Sequence, residues 1–155
     1  MGKALVAYFS ASGVTERVAK RLATAIQADE FPIQPVEPYT AADLKWTNPW
    51  ARCNREKFGK KDVPVAGRVE NMADYNTLYV GFPIWYYAAP NVIQTFLKSY
   101  DLTGKKIALF ATSGGSNIGQ TAAKLKPYIG SAEIIKGKVF SPQVSAEELK
   151  DWAAL

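Results

Sequence analysis

ALVAYFSASGVTERVAKRLATAI, residues 4–26, decides the fold. Ala4 to Phe9 is an apolar run without polar alternation, the pattern of a strand covered on both faces of a parallel sheet. From Val14 onward, apolar residues recur at steps of four through Val18, Leu22 and Ile26, which is one stripe of an amphipathic helix. Between the two lies Ser10-Ala11-Ser12-Gly13-Val14-Thr15, a strand-to-helix turn crowded with hydroxyls. Such a turn is either plain punctuation or a binding site.

Outward from this stretch the same alternation repeats. Leu78 to Phe82 and Ile107 to Ala111 are further continuous apolar runs and read as central strands. Phe31 to Val36 and Ile134 to Phe140 are weaker, carrying Pro32 and Pro35 in one case and Lys136, Gly137 and Lys138 in the other. These residues belong at sheet edges, because proline cannot donate to a ladder and lysine resists further pairing. A second helical stripe runs through Val92, Ile93, Phe96 and Leu97. A third helix is expected from about Ile118 to Tyr128, and a fourth from Ser145, where Ser145 and Glu148 have capping-box spacing ahead of Leu149 and Trp152.

Strand and helix in alternation predict an α/β fold: a doubly wound, five-stranded parallel sheet with right-handed crossovers and helices on both faces. With edges at the second and fifth strands, the order 2-1-3-4-5 follows. The chain of 155 residues reads as a single domain, able to bury roughly 68 to 70 per cent of the surface its unfolded form exposes. Positions 38 to 76 form a connection too long to be structureless; Thr40 before Ala41, Ala42, Asp43 and Leu44 has the pattern of a short capped helix.

Composition excludes much chemistry. Histidine is absent, which removes Ser-His-Asp and Cys-His nucleophile pairs, His metal ligands and the commonest general base. The single cysteine, Cys53, can form neither an internal disulfide nor a metal cluster and reads as an idle thiol. No metal site is expected. The six apolar residues after Lys3 are too few for a signal peptide or a membrane span, so a cytoplasmic setting without membrane insertion is expected. The formal charge of +5 is densest in positions 52 to 68, with Arg52, Arg55, Lys57, Lys60, Lys61 and Arg68. This reads as a solvated face rather than a nucleic-acid surface, since no interleaved basic and aromatic strand accompanies it.

In an open parallel sheet the ligand sits beyond the carboxyl ends of the strands, where the Ser10 to Thr15 turn leaves a central one. The turn also opens a helix, whose free N–H groups and positive dipole end favour an anion by about 0.3 to 1 kcal/mol. Gly13 lets backbone approach, and Ser10, Ser12 and Thr15 can donate to phosphate oxygens. A helix N-cap, such as Ser12 followed by Thr15, accounts for one hydroxyl but not three. The turn lacks lysine and arginine, so a phosphate is held there by neutral donors. Neither G-x-x-x-x-G-K-[ST] nor G-x-G-x-x-G occurs after the first strand.

After the third strand comes Pro83-Ile84-Trp85-Tyr86-Tyr87-Ala88-Ala89-Pro90, with flat, stiff side chains that suit a flat ligand. Tyr87 reads equally well as satellite core. After the fourth comes Thr112-Ser113-Gly114-Gly115-Ser116-Asn117-Ile118-Gly119, small enough for backbone to approach a ring. All three segments belong to one edge of the sheet. A receiver domain would place carboxylates where Ser10 and Pro83 stand, and a low-molecular-weight phosphatase would place cysteine and arginine in the first loop.

At "YFSASGVTERVA", "GFPIWYYAAPNVIQTFL" and "FATSGGSNIG" the chain resembles the flavodoxins, above all small bacterial flavodoxin-like proteins, from about Lys3 to Phe140. That resemblance implies non-covalent FMN. It implies that Ser10, Ala11, Ser12, Gly13, Val14 and Thr15 surround the phosphate, and that the isoalloxazine lies between Pro83, Ile84, Trp85, Tyr86 and Tyr87 on one side and Thr112, Ser113, Gly114, Gly115 and Gly119 on the other. Val14 stands where flavodoxins often have asparagine, and the basic charge departs from the acidic flavodoxin carriers.

Two functions fit the resemblance. One is a redox protein passing electrons between redox partners. The other is an NAD(P)H-dependent FMN oxidoreductase acting on quinones or related small acceptors, with Trp46, Trp50 and Tyr86 roofing the pocket; Trp46 and Trp50 fit a core role as well. Cations favour full reduction of a flavin, so positions 52 to 68, where they lie near the ring, are expected to raise its two-electron potential above that of an acidic flavodoxin.

Overall fold

The computed structural model describes residues 3–10, 13–35, 65–84, 89–112 and 121–154. The opening apolar run forms strand β1 (Lys3–Tyr8), and the periodic run forms helix α1 (Val14–Ile26). Two short strands follow, β2 (Asp29–Pro32) and β3 (Gln34–Pro35), then β4 (Val65–Ala66) and β5 (Tyr75–Pro83). The remainder is α2 (Asn91–Lys98), β6 (Lys106–Thr112), α3 (Thr121–Leu125), β7 (Glu133–Phe140) and α4 (Ala146–Ala153).

Five of these strands make one parallel sheet in the order β2-β1-β5-β6-β7. Counted along the chain, that is the expected 2-1-3-4-5, with the proline-bearing and lysine-bearing strands at the two edges. The central strands are continuous apolar runs because each serves two cores. Leu5, Ala7 and Phe9, Leu78, Val80 and Phe82, and Ile107, Leu109 and Ala111 face α2 and α3 through Val92, Ile93, Phe96, Leu97 and Leu125. Val6, Tyr8, Tyr79, Ala108 and Phe110 face α1 and α4 through Val18, Ala19, Leu22, Ala23, Leu149 and Ala153. Each fully buried large side chain contributes about 1.5 to 3 kcal/mol, which fixes the sheet that carries the site.

Several details depart from the expectation. Of the run Phe31 to Val36, the described part, Phe31 to Pro35, falls in two elements, because Ile33 turns into the core at 2% exposure and its N–H bonds Tyr8 O. Pro35 offers no N–H to the main ladder, and Gln34–Pro35 instead pairs antiparallel with Val65–Ala66. β5 begins at Tyr75, three positions ahead of Leu78, because Tyr75 and Thr77 still pair with Lys3, Ala4 and Lys106. α3 passes into a 3-10 turn at Lys126–Tyr128, where Pro127 removes the N–H an α-helix needs. α4 starts as expected, with Ser145 Oγ accepting the Glu148 N–H at 3.0 Å. The predicted helix after Thr40, the start of the third helix at Ile118, Trp46, Trp50 and Cys53 lie outside the described residues.

Candidate functional site

β1, β5 and β6 end side by side, and their C-terminal ends are tied by hydrogen bonds. Phe9 N–H donates to Gly81 O at 2.9 Å, and Ile84 N–H to Thr112 O at 3.0 Å. Pro83 and Thr112 are register partners. The roots of the three predicted site segments therefore stand at one edge of one rigid sheet.

In the first segment Gly13 precedes α1 in the left-handed region, at φ 90°, and among the described residues no side chain caps the helix. The N-cap is thus Gly13. A glycine there is required by the dihedral, and a Cβ built on it meets nothing within 4 Å, so the space beside the turn is open. The first N–H groups of α1 have no acceptor within the helix. Ser10 Oγ accepts the Gly13 N–H at 3.0 Å, which folds the turn back on itself and leaves the hydroxyl proton available for an acceptor. Ser10 and Val14 are half-buried; Thr15 is buried.

The charge around the turn is balanced locally. Glu16, in the first turn of α1, pairs with Lys20 at 3.4 Å. Beneath it, burial foremost, then the Glu16 and Glu30 carboxylates, push the Tyr8 phenol above its ordinary value, so Tyr8 stays neutral. The donors aimed at this space are therefore a helix N-terminus and hydroxyls, a set that suits a phosphate monoester and offers nothing to a metal. Among the described residues no cluster of His, Cys, Asp or Glu could hold a metal ion, and no helix is long and apolar enough to cross a membrane.

Thr112, expected on the ring side, has its hydroxyl 2.7 Å from that of Thr15, and both residues are buried. The pair is 97 positions apart in sequence, with β5 between β1 and β6, so no local pattern marks it. Pro83 and Ile84 are half-buried at the end of β5, and Ile84 packs against the α2 core. Ala11, Ser12, Trp85, Tyr86, Tyr87, Ser113, Gly114, Gly115 and Gly119 lie outside the described residues. Of the basic stretch, Arg68 sits at the opposite edge of the sheet, 4.5 Å from the Tyr100 ring centroid and bonded to Ser99 O at 3.1 Å beyond the end of α2. The expected effect on a ring therefore does not extend to Arg68.

A family model described as Flavodoxin matches residues 3–154. A Bacteroides uniformis protein provisionally classed as a flavoprotein is 41% identical, with TM-score 0.88 over 97% of this chain and 97% of its own. A second, from Bacteroides eggerthii and classed the same way, is 38% identical, with TM-score 0.89 over 98% of this chain and 96% of its own. A Lactobacillus acidophilus flavoprotein in complex with FMN superposes with TM-score 0.75 over 99% of this chain and 100% of its own; at 20% identity it shares the fold alone. No curated protein matches the chain.

Proposed function

The chain belongs to the flavodoxin family, and from that premise we propose that it binds FMN non-covalently and passes electrons between redox partners in the cytoplasm. The observation that carries this reading is the uncapped helix N-terminus at Gly13, flanked by the Ser10 and Thr15 hydroxyls at the C-terminal edge of the sheet. A monophosphate matches that donor set in charge and in hydrogen-bonding capacity. The segments from Ser10 to Thr15, Pro83 to Tyr87 and Thr112 to Gly119 form the site in this reading.

When bound, the flavin ring supplies the redox chemistry. The chain's own residues bind, orient and screen. Ser10 and Thr15 donate hydrogen bonds to phosphate oxygens, and the N–H groups at the start of α1 add the favourable end of the helix dipole. Pro83 and Ile84, fixed by the Ile84 to Thr112 bond, hold the base of the aromatic segment.

A second reading, an NAD(P)H-dependent FMN oxidoreductase of quinones or related acceptors, draws support from the net charge of +5. A basic surface attracts a polyanionic nucleotide and sets this chain apart from acidic carriers. The test begins with protein saturated with FMN and freed of excess by gel filtration. Retained flavin at one per chain is expected, and its absence overturns both readings. With flavin retained, NADPH oxidation that stays negligible until a separate reductase is added supports the carrier; steady oxidation with a quinone alone selects the enzyme.

A further inference from the structure

Thr112 is the one described residue that bonds to both other site segments. Its hydroxyl meets Thr15 at the start of α1 at 2.7 Å, and its carbonyl takes the N–H of Ile84 at 3.0 Å. Thr15 is 1% exposed and Thr112 4%, so neither hydroxyl has bulk water as a ready alternative partner. Two hydroxyls in contact share two protons. Only one proton can lie in the link, and the other points out of the pair.

An anion settles which. Phosphate oxygens accept and, as the dianion, cannot donate, so a pair of hydroxyls ending on phosphate runs from Thr112 to Thr15 to the anion. Hydrogen bonds donated in series polarise and strengthen one another in a low-dielectric setting. We infer that Thr112 is a positioning residue that, by donating to Thr15, makes the Thr15 hydroxyl a donor to the flavin phosphate and so favours FMN over riboflavin. This rests on the phosphate reading of the turn. It assigns Thr112 a role in discriminating the phosphate end of the ligand, rather than the ring contact its sequence position implies.

The test measures FMN and riboflavin affinities by quenching of flavin fluorescence. Thr112→Val removes the donor while keeping the shape, and it is expected to weaken FMN binding by roughly three- to tenfold, the range of one net hydrogen bond. Riboflavin affinity should hold within about twofold, because riboflavin has no phosphate for the pair to address. Thr112→Ser, which keeps the hydroxyl, restores FMN affinity. In a Thr15→Val background the effect of Thr112→Val on FMN vanishes, since the relay is already cut. Equal losses for both flavins, no loss for either, or additive losses in the double variant would each overturn the inference while leaving the phosphate reading intact. Equal affinity of the parent protein for the two flavins sinks the phosphate reading, and the inference with it.

Discussion

At the N-terminal edge of the sheet, Tyr75 Oη donates to Asp29 Oδ2 at 2.7 Å, its carbonyl accepts from Lys105 Nζ at 2.5 Å, and Val69 N–H donates to Tyr100 Oη at 2.8 Å. At the C-terminal edge, α1 begins on a glycine, and Ser10 and Thr15 make one side-chain hydrogen bond each among the described residues, with capacity to spare. Both edges are polar, yet one closes on itself with charged partners and the other keeps neutral donors facing outward. Parallel topology explains the difference. Every helix that follows a strand starts at the C-terminal edge, so the N–H groups and positive dipole ends collect there, while carbonyls and the cations that suit them collect at the other. Binding capacity and stabilising capacity are thereby separated along the strand axis.

The largest effect should come from damage to the sheet that both edges share. Gly81 faces Phe110 across adjacent strands, and a Cβ built on it lies 2.1 Å from the Phe110 ring. Gly81→Ala is expected to cost about 1 to 3 kcal/mol or more, read as a lowered urea midpoint. FMN affinity should fall with it, because Gly81 O holds the Phe9 N–H and Gly81 stands two residues before Pro83 on the same strand. Phe110→Leu in the same chain should recover part of the loss. A Gly81→Ala variant as stable as the parent breaks the premise that one rigid sheet serves both edges.

Next comes a change confined to the open edge. Gly13→Ala puts a side chain at φ 90°, with strain of about 1 to 2 kcal/mol, and directs a methyl into the open space beside the turn. A loss of FMN affinity well beyond the loss of thermal stability is expected from parallel titration and melting. If the two fall in proportion, the turn is structural and the contrast between the edges is lost.

The contrast was partly legible in the sequence. Ala4 to Phe9, Leu78 to Phe82 and Ile107 to Ala111 announced a sheet buried on both faces, since a strand with one wet face would alternate. Pro32 and Lys136 marked the edges, and hence the order, because neither suits a central ladder. Ser145 and Glu148 announced the start of α4. Each signal is local, carried by a residue's own chemistry against its immediate neighbours. What escaped depends on partners distant in sequence: the inward turn of Ile33, the β3–β4 ribbon, the approach of Phe110 to Gly81, and the Thr15–Thr112 contact. Gly81 read as one more small apolar residue because the ring that requires it lies on another strand.

A change at the closed edge should do the reverse of Gly13→Ala. Burial first, then the bond to Asp29, raise the Tyr75 phenol above its ordinary value of 10.0. A raised acid favours the folded state while it stays protonated, so its contribution is complete below about pH 10 and fades as pH climbs through the folded value. Tyr75→Phe removes one bond to a carboxylate, about 1 kcal/mol given the exposure of Asp29. Melting curves should show the variant less stable at neutral pH and the gap narrowing under alkali, with FMN affinity unchanged. A variant that loses flavin as well would mean that the edges communicate.

The smallest effect belongs to Asp101, an exposed residue in the turn before β6 and the finest probe of the closed edge. Its carboxylate accepts the Thr103 N–H at 3.0 Å and the Thr103 hydroxyl at 2.6 Å. The hydroxyl bond foremost, then the backbone bond, hold its carboxyl below the ordinary 3.8, and Lys105 lowers it further. A lowered acid favours the folded state while ionised, so the contribution is present above pH 3.8 and lost as pH falls through the folded value. Asp101→Asn should therefore melt slightly below the parent at neutral pH, and the two curves should meet in acid. Because the turn leads directly into β6, whose far end is Thr112, FMN affinity in this variant reads whether a local loosening at the bottom of a strand reaches the top. Unchanged affinity is expected, since the ladder from Ile107 to Ala111 lies between and is buried throughout. A gap that persists in acid would assign the turn's stability to side-chain shape rather than to the carboxylate's charge.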